Sequence, residues 1–275
     1  MAESYKMNLT YILTLILFAP AIVFSQTYKG LIIDSLTNKN LPYVNIGISN
    51  KNIGTVSDTR GNFNITIPGN NSTDTLVFSM IGYKTKRVKV SDLKNSMTIL
   101  LNPMIYEIPE IEVLSFSKTK KVGNRTENHR YVAGFNNYQL GSEIGSLINI
   151  SRKSRIKTIT FSVAQCKPDS ITFRLNIYST KINSYPDRSL VQKPFYFTLK
   201  KENSNSTVSV NIAYLNIVVD NDIVVAIECL EDVALHEVSF SALMYNGKFF
   251  VRKASQHTWE KYPVGVGITA EIEYN

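Results

Sequence analysis

Residues 30–83 contain the pattern that decides the fold of this chain. The stretch reads G-L-I-I-D-S-L-T-N-K-N-L-P-Y-V-N-I over 30–46, I-G-T-V-S-D-T-R-G-N-F-N-I-T-I over 53–67 and D-T-L-V-F-S-M-I-G-Y over 74–83. Short runs in which apolar and polar residues alternate are separated by turn residues. Strands with a period of two bury one face, so several short strands at this spacing predict a small β-sandwich.

The alternation also indicates where the strands of this sandwich lie and which residues form its core. Val44, Phe63 and Phe78 fall on the apolar faces of their runs. Asp58-Thr-Arg-Gly61 has the composition of a four-residue hairpin connection, in which the glycine supplies a positive φ. We predict strands near residues 28–34, 42–49, 53–58, 61–67, 75–81, 83–90 and 97–101, with a further one near 110–114.

The same residues resemble the carboxypeptidase-like regulatory domain, a transthyretin-like sandwich of seven strands. The resemblance covers about a third of the chain, residues 26–114, and implies structural roles for its motif residues and no peptidase activity. Turn glycines, an edge proline and core apolar residues make up most of the motif. The matching residues are Gly30, Asp34, Pro42, Val44, Ile46, Gly54, Thr55, Ser57, Asp58, Gly61, Phe63, Asp74, Leu76, Phe78, Ser79, Ile81, Gly82 and Tyr83.

In Bacteroidetes-type bacteria, the domain that this segment resembles commonly precedes an outer-membrane TonB-dependent receptor. A short acidic and apolar strand follows it there, similar to I-P-E-I-E-V-L at 108–114. A receptor barrel needs many strands of about ten residues each, with one apolar face toward lipid. Only about 160 residues remain after residue 114, so we expect no receptor barrel in this chain.

The second half of the chain carries another set of alternating runs. We predict a linker at 115–130, which is polar and basic, and a second β-sandwich at 131–275, most simply a jelly roll. Two phrases, F-R-L-N-I-Y-S and D-N-D-I-V-V-A-I-E-C-L-E, resemble a C-terminal sandwich of some exported Bacteroidetes proteins. The predicted strands lie near 142–150, 155–165, 171–179, 194–200, 206–213, 222–229, 236–245, 247–253 and 264–274.

The N-terminus predicts export. An uncharged apolar run at 9–24 contains Pro20 and is followed by Ser25, which is the composition of a signal peptide over 1–25. An uncleaved membrane anchor is the alternative, because the run approaches the length of a minimal span. We expect a mature chain without a transmembrane span, located in the periplasm, at the outer membrane or outside the cell. In such a compartment Cys166 and Cys229 either pair or remain buried thiols.

Charge and composition argue against nucleic-acid binding. Of the formal net charge of +8, most lies in 115–275, where twenty basic residues face fourteen acidic ones. This balance suits a soluble surface or an acidic envelope partner, and the basic clusters lack the interleaved aromatic residues of a nucleic-acid groove. The clusters are Lys118, Lys120, Lys121 and Arg125, and then Arg152, Lys153, Arg155 and Lys157.

No convincing catalytic or metal-binding motif is present. His257 and Glu260 have the H-x-x-E spacing of a zinc site, but no third ligand or base accompanies them. Asp220-Asn-Asp222 lacks the glycine and glutamate of a calcium loop and is better explained as a turn. We therefore predict no enzyme activity, no metal and no cofactor.

Two functions from different classes remain. The first is a structural or protein-interaction module of the cell envelope, and the second is glycan binding by the C-terminal sandwich. Sugar binding would use exposed aromatic rings, but alternation along strands places about half of such rings in the core. The candidate ligand-binding residues are Tyr245, Phe249, Trp259 and Tyr262.

Overall fold

The computed structural model describes residues 25–104, 115–127, 130–135, 139–231 and 238–275. Strand makes up 59% of it and helix 6%. The strands are β1 Ser25–Asp34, β2 Asn45–Ile48, β3 Gly54–Val56, β4 Asn62–Pro68, β5 Thr75–Ser79, β6 Lys86–Lys89, β7 Met97–Leu101, β8 Lys118–Gly123, β9 Tyr131–Phe135, β10 Glu143–Ile148, β11 Ser154–Cys166, β12 Ser170–Thr180, β13 Pro186–Ser189, β14 Phe195–Lys200, β15 Ser206–Asn211, β16 Val218–Val219, β17 Ile223–Cys229, β18 Val238–Arg252, β19 Glu260–Val266 and β20 Ile268–Tyr274. Short 3-10 helices are Gly69–Asn71, Val90–Asp92, Ile182–Ser184, Lys201–Asn203 and Ala213–Leu215.

Strands β1–β7 form the first sandwich. One sheet has the order β4-β1-β7 and the other the order β3-β2-β5-β6. Their apolar faces enclose a single core in which Val44 and Phe78 are fully buried and Phe63 nearly so. The rings of Phe63 and Phe78 lie edge to face, with centroids 5.6 Å apart. The seven-stranded sandwich predicted for this part of the chain is confirmed.

Polar residues among the motif residues of 30–83 stabilise the turns of this sandwich. The Asp34 carboxylate accepts hydrogen bonds from the backbone N–H groups of Leu36 and Thr37, and from the Tyr83 hydroxyl at 2.9 Å. Asp58 accepts in the same way from the N–H groups of Arg60 and Asn62. At these turns the backbone N–H groups have no partner strand, and the side-chain carboxylates take the place of water as their acceptors. The Asp and Tyr of the motif are therefore partners, although 49 residues separate them.

The remaining strands form a further β-sandwich around a second core. In the described residues its sheet follows the path β13-β12-β17-β10-β18-β11-β20-β8, with β14 on β12, β15 and β16 on β11, and β9 and β19 on β18. Stacked rings fill the centre, and those of Phe161 and Phe197 lie parallel at 5.1 Å. A second all-β unit is thus present, while its jelly-roll topology stays a prediction.

The structure differs from the sequence-based expectation in three places. The expected linker at 115–130 contains β8, which pairs with β20 because Val122 can pack against the second core while Lys121, on the opposite face, is exposed. The two strands expected at 236–253 form one irregular strand, β18, since β19 pairs with both of its halves and the register shifts between Met244 and Phe249. The strand expected at 264–274 belongs to two strands, β19 and β20, which are separated at Gly267.

Two expectations lie outside the described residues: the signal peptide, of which only Ser25 is described, and the strand near 110–114. Within the described part, none of the helices has the length and apolar character needed to span a bilayer.

Candidate functional site

Two clefts open between the sandwiches. The larger, of about 800 Å³, is bordered by Val56 and Phe63 of the first sandwich and by Leu140, Leu230 and Glu231 of the second. These last three residues adjoin segments that the structure does not describe. The smaller cleft, of about 350 Å³, is lined by described residues of both sandwiches and is polar. The candidate site is this smaller cleft and the charged side chains beneath it.

The floor of the cleft is a network of charged and polar side chains on three neighbouring strands of the second sandwich. Arg174 on β12 makes a two-pronged pair with Glu228 on β17, at 2.9 and 2.7 Å. Asn176 donates to the carboxylates of both Glu228, at 2.9 Å, and Glu143, at 3.2 Å. The ladder pairs β12 with β17 and β17 with β10, which brings these side chains side by side.

The network continues to a second arginine. Arg252 on β18 pairs with the other oxygen of Glu143, and Tyr178 donates to Glu143 at 2.8 Å. The Arg252 guanidinium lies over the Trp259 ring, 4.9 Å from its centroid. Tyr178 meets the same ring edge to face at 5.7 Å. Trp259 therefore covers one end of the network, where its π-face favours the cation.

Arg174 also reaches across to the first sandwich. Its guanidinium donates to the carbonyl oxygen of Tyr43 at 2.8 Å and to the side-chain oxygen of Asn45 at 2.7 Å. Tyr43 has a φ of 58°, which is uncommon for a residue other than glycine. The ring of Tyr43 contacts that of Tyr196, with centroids 5.2 Å apart. The buried side chain of Arg174 therefore bonds to residues of both sandwiches.

Backbone contacts surround this central bond. The N–H of Asn50 donates to the carbonyl oxygen of Gln256, whose side chain donates to Ser79 at 2.8 Å. Gly47 and Gly54 lie directly against Ser255, and a Cβ atom on either would come within 2.6 Å of the Ser255 carbonyl oxygen. Side chains larger than glycine therefore cannot occupy these positions without moving the two sandwiches apart.

Burial controls the electrostatics of the network. Desolvation raises the pKa of Glu143, and the charge of Glu228 acts in the same direction. Burial alone would lower the pKa of Arg174, but the charge of Glu228 outweighs it and the pKa is raised. Glu143 and Glu228 are both fully buried. Since the two carboxylates accept bonds from Arg174, Asn176, Tyr178 and Arg252, the arrangement suits positioning rather than acid–base chemistry on a ligand.

The aromatic residues proposed for ligand binding do not form one exposed face. Tyr245 is 83% exposed and Tyr262 40%. Phe249 is buried, although its ring lies 6.4 Å from that of Tyr262 on the neighbouring strand. Trp259 lies instead at the end of the charged network. A binding role for these four residues stays a prediction.

Other candidate residues have ordinary surroundings. Cys166 and Cys229 are both buried thiols, and the thiol of Cys229 donates to the carbonyl oxygen of Glu231. Glu260 pairs with Lys253 at 2.7 Å rather than with His257. The Asp222 carboxylate accepts from the Ile150 N–H. In the described ranges, no three His, Cys, Asp or Glu side chains come together in a way that could hold a metal ion.

The residues of the network stand out in the sequence as polar positions in otherwise apolar strands, but alternation alone does not show that they are buried. Arg174, Asn176 and Tyr178 occupy the polar face of β12, which the period of two predicts to face water. The first sandwich covers that face instead, and Arg174 and Asn176 are buried. Glu143 and Glu228 were not expected in any site. A charged residue inside each apolar run, as in V-V-A-I-E-C, was the available clue.

Comparisons with known proteins concern mainly the first sandwich. Residues 28–113 match the family model of the CarboxypepD_reg-like domain, a non-catalytic β-sandwich. A protein called TonB-dependent receptor P3, from Formosa agariphila, is 32% identical over 96 residues. These residues are 35% of this chain but only 9% of the receptor.

Two solved structures align more weakly. The cysteine protease and lectin-like domains of Cwp84, a surface layer associated protein of Clostridium difficile, align over 50% of this chain and 33% of theirs, with 10% identity and a TM-score of 0.34. A DUF3823 family protein from Parabacteroides merdae aligns over 87% of this chain and 98% of its own, with 11% identity and a TM-score of 0.20. At these TM-scores, neither structure informs the function of this chain.

Proposed function

We propose that this chain is a non-catalytic, exported protein of the cell envelope, in which two β-sandwiches act as one rigid structural or protein-interaction unit. The observation that carries the proposal is Arg174, whose side chain is 2% exposed and which binds Glu228 in one sandwich and Tyr43 and Asn45 in the other. A flexible pair of domains would have a wet interface that separates readily. Separating the sandwiches would break the bonds of Arg174 to Tyr43 and Asn45 and the bonds of Gln256 to Asn50 and Ser79, so the contacts favour one arrangement.

The envelope location rests on two further observations. The apolar N-terminal run has the composition of a secretory signal, and the first sandwich is similar to part of a TonB-dependent receptor. The absence of catalysis is supported by the matched domain type and by the complete engagement of Glu143 and Glu228 within the protein. Partners are expected to be other envelope components.

Cell fractionation tests the location. A C-terminally tagged full-length chain should appear in the periplasmic or outer-membrane fraction, and deletion of residues 1–25 should retain it in the cytoplasm. A chain that stays in the cytoplasm with residues 1–25 present would refute export. An uncleaved anchor would be recognised by unchanged mass and recovery with the inner membrane.

Calorimetry and small-angle scattering test the rigid unit. The parent chain should unfold in one transition, because the interface makes the two cores depend on each other. Its scattering curve should fit one arrangement of the sandwiches. Two separate transitions, together with scattering that requires many relative orientations, would contradict a rigid unit and leave the location unaffected.

The alternative function, glycan binding by aromatic stacking, has less support in the geometry. Of the four proposed residues, Phe249 is buried and Trp259 packs against Arg252 and Tyr178. Tyr245 is 83% exposed and Tyr262 40%, so these two rings leave a smaller exposed surface. Binding of neutral sugars on a glycan array that is lost in Tyr245→Ala would favour this alternative.

A further inference from the structure

The two basic clusters of the sequence lie in and beside β8 and β11, the two strands that flank β20. β20 pairs with β8 on one side and with β11 on the other. Tyr274 is therefore opposite Lys118 in β8 and Ser154 in β11, and Glu273 is opposite Thr119 and Arg155. Neighbouring strands are about 4.8 Å apart, so β8 and β11 lie about 10 Å apart across β20, and charges more than 30 residues apart in sequence come close together.

The two faces of this ladder carry charge differently. On one face, Glu273 binds Arg155 at 2.9 Å and Lys157 at 3.0 Å. On the other, the Lys120 ammonium lies 5.0 Å from the centre of the Tyr274 ring and the Arg152 guanidinium lies 5.1 Å from it. Lys118 is on the same side of β8 as Lys120, because residues two apart share a face. We call Lys118, Lys120, Arg152 and Tyr274 the Tyr274 face.

Lys118 and Lys120 of the Tyr274 face have no side-chain carboxylate as a counterion in the described part of the chain. Within those residues, no Asp or Glu side-chain carboxylate comes within 4.0 Å of Lys118, Lys120 or Arg152. The only carboxylates on β8, β20, β11 and the turn at 151–153 are Glu271 and Glu273. Arg152 donates to the main-chain oxygen of Asn275 at 3.1 Å. Like charges gathered at one ring repel each other, and a bound anion would relieve this repulsion.

We propose that the Tyr274 face binds the carboxylate groups of an acidic polysaccharide. The inference rests on the export part of the proposed function, because such polymers are met outside the cytoplasm. It assigns a partner class to a surface that lies away from the cleft between the sandwiches. Each cation that contacts the polymer releases a counterion, so binding should weaken as salt concentration rises.

The surface fits a polysaccharide better than a membrane or a nucleic acid. Membrane binding combines basic residues with exposed apolar side chains that enter the lipid. The large apolar side chains exposed in the described residues lie elsewhere, and none is on β8, β20 or residues 152–157. Single-stranded nucleic acid needs open ring faces for stacking, whereas Lys120 and Arg152 lie over the Tyr274 ring.

The test measures binding of the full-length chain to polygalacturonate, a linear carboxylated polysaccharide, by isothermal titration at low ionic strength. Neutral dextran and vesicles of mixed phosphatidylcholine and phosphatidylglycerol are the comparison ligands. The parent should bind polygalacturonate more tightly than vesicles and should ignore dextran. Lys118→Gln with Lys120→Gln should weaken binding about tenfold and reduce its salt dependence.

The matched control removes two lysines from the other sandwich. Lys84 and Lys89 are exposed residues at and beside the edge strand β6, so Lys84→Gln with Lys89→Gln changes net charge equally. This control should weaken binding less than about twofold, since its charges lie far from the contact. Equal loss in both double variants would overturn the proposal in favour of non-specific attraction.

Other results would also overturn it. Tighter binding to vesicles than to polygalacturonate would identify a lipid surface, and no binding at low ionic strength would exclude the site. Circular dichroism establishes that the variants are folded, and Arg152→Gln provides an independent substitution if the double variant is not. Localisation by fractionation is measured separately, so failure of export and failure of polymer binding are distinguishable.

Discussion

The charged network beneath the interface and the charged ladder around β20 use the same residue types in opposite ways. Both place arginines beside glutamates on adjacent strands of the second sandwich. In the network, Arg174 and Glu228 are 2% and 0% exposed, whereas Arg155 and Glu273 are 29% and 20% exposed. Removing one partner of the first pair would leave a buried charge without its counterion, while solvent screens the second pair.

The pKa values of one glutamate from each region, Glu143 and Glu273, show the same difference. Desolvation raises the pKa of the buried Glu143. Hydrogen bonds from Lys157, and then from Arg155, hold the pKa of Glu273 below its usual value. The pKa values of these two glutamates therefore shift in opposite directions. Glu143 is enclosed by protein, whereas Glu273 is partly exposed and accepts bonds from Lys157 and Arg155.

The largest expected effect is that of removing Arg174. Arg174→Ala leaves Glu228 buried without its cation and also breaks the bonds to Tyr43 and Asn45. We expect a loss of about 3–5 kcal/mol in the free energy of unfolding, measured with denaturant. The control is Arg188→Ala, because Arg188 is 88% exposed and should matter by less than about 0.5 kcal/mol. Similar small losses for both variants would show that the network does not hold the interface.

A double-mutant cycle compares the two pairs directly. Arg174→Met and Glu228→Met, separately and together, should give a coupling energy of about 1–3 kcal/mol, since neither partner tolerates burial alone. The same cycle with Arg155→Met and Glu273→Met should give less than about 1 kcal/mol. Equal coupling in the two cycles would mean that burial is not what distinguishes the regions.

The smallest effect is expected for the exposed carboxylate. Glu273→Gln should cost less than about 1 kcal/mol at neutral pH, and high salt should reduce the difference. Because the folded state lowers the pKa of Glu273, its stabilisation is present above the ordinary glutamate pKa. This stabilisation is lost as the pH falls through the lowered pKa of Glu273. Unfolding measured at neutral and acidic pH should show parent and variant converging in acid, and divergence would contradict the assignment.

The first sandwich could be predicted in detail because its determinants are local. Turn residues such as Asp58 and Gly61 are adjacent in sequence to the strands they connect, and Gly61 has a φ of 80°. Phe63 and Phe78 are buried on the face that alternation predicts. The bond between Asp34 and Tyr83 could not be seen in the same way, since it depends on how two distant turns meet.

The second sandwich shows where local patterns stop being sufficient. The lysines of β8 have the composition of a linker, yet β20 supplies a ladder that Val122 can join. Nothing in the sequence around Gly47 or Gly54 shows that Ser255 lies against both of them. Pairing partners and covering surfaces are properties of distant segments, and no window of sequence contains them.

The sequence by itself determined the all-β class, the two sandwiches and the core faces of most strands, because alternation and turn chemistry act between neighbouring residues. It also determined which residues carry charge. Only the tertiary structure decided which charges would be buried, when the first sandwich covered the polar face of β12. The reason is that the energy of a charge depends on its distance from water and from its counterions, and both are set by the packing of distant segments.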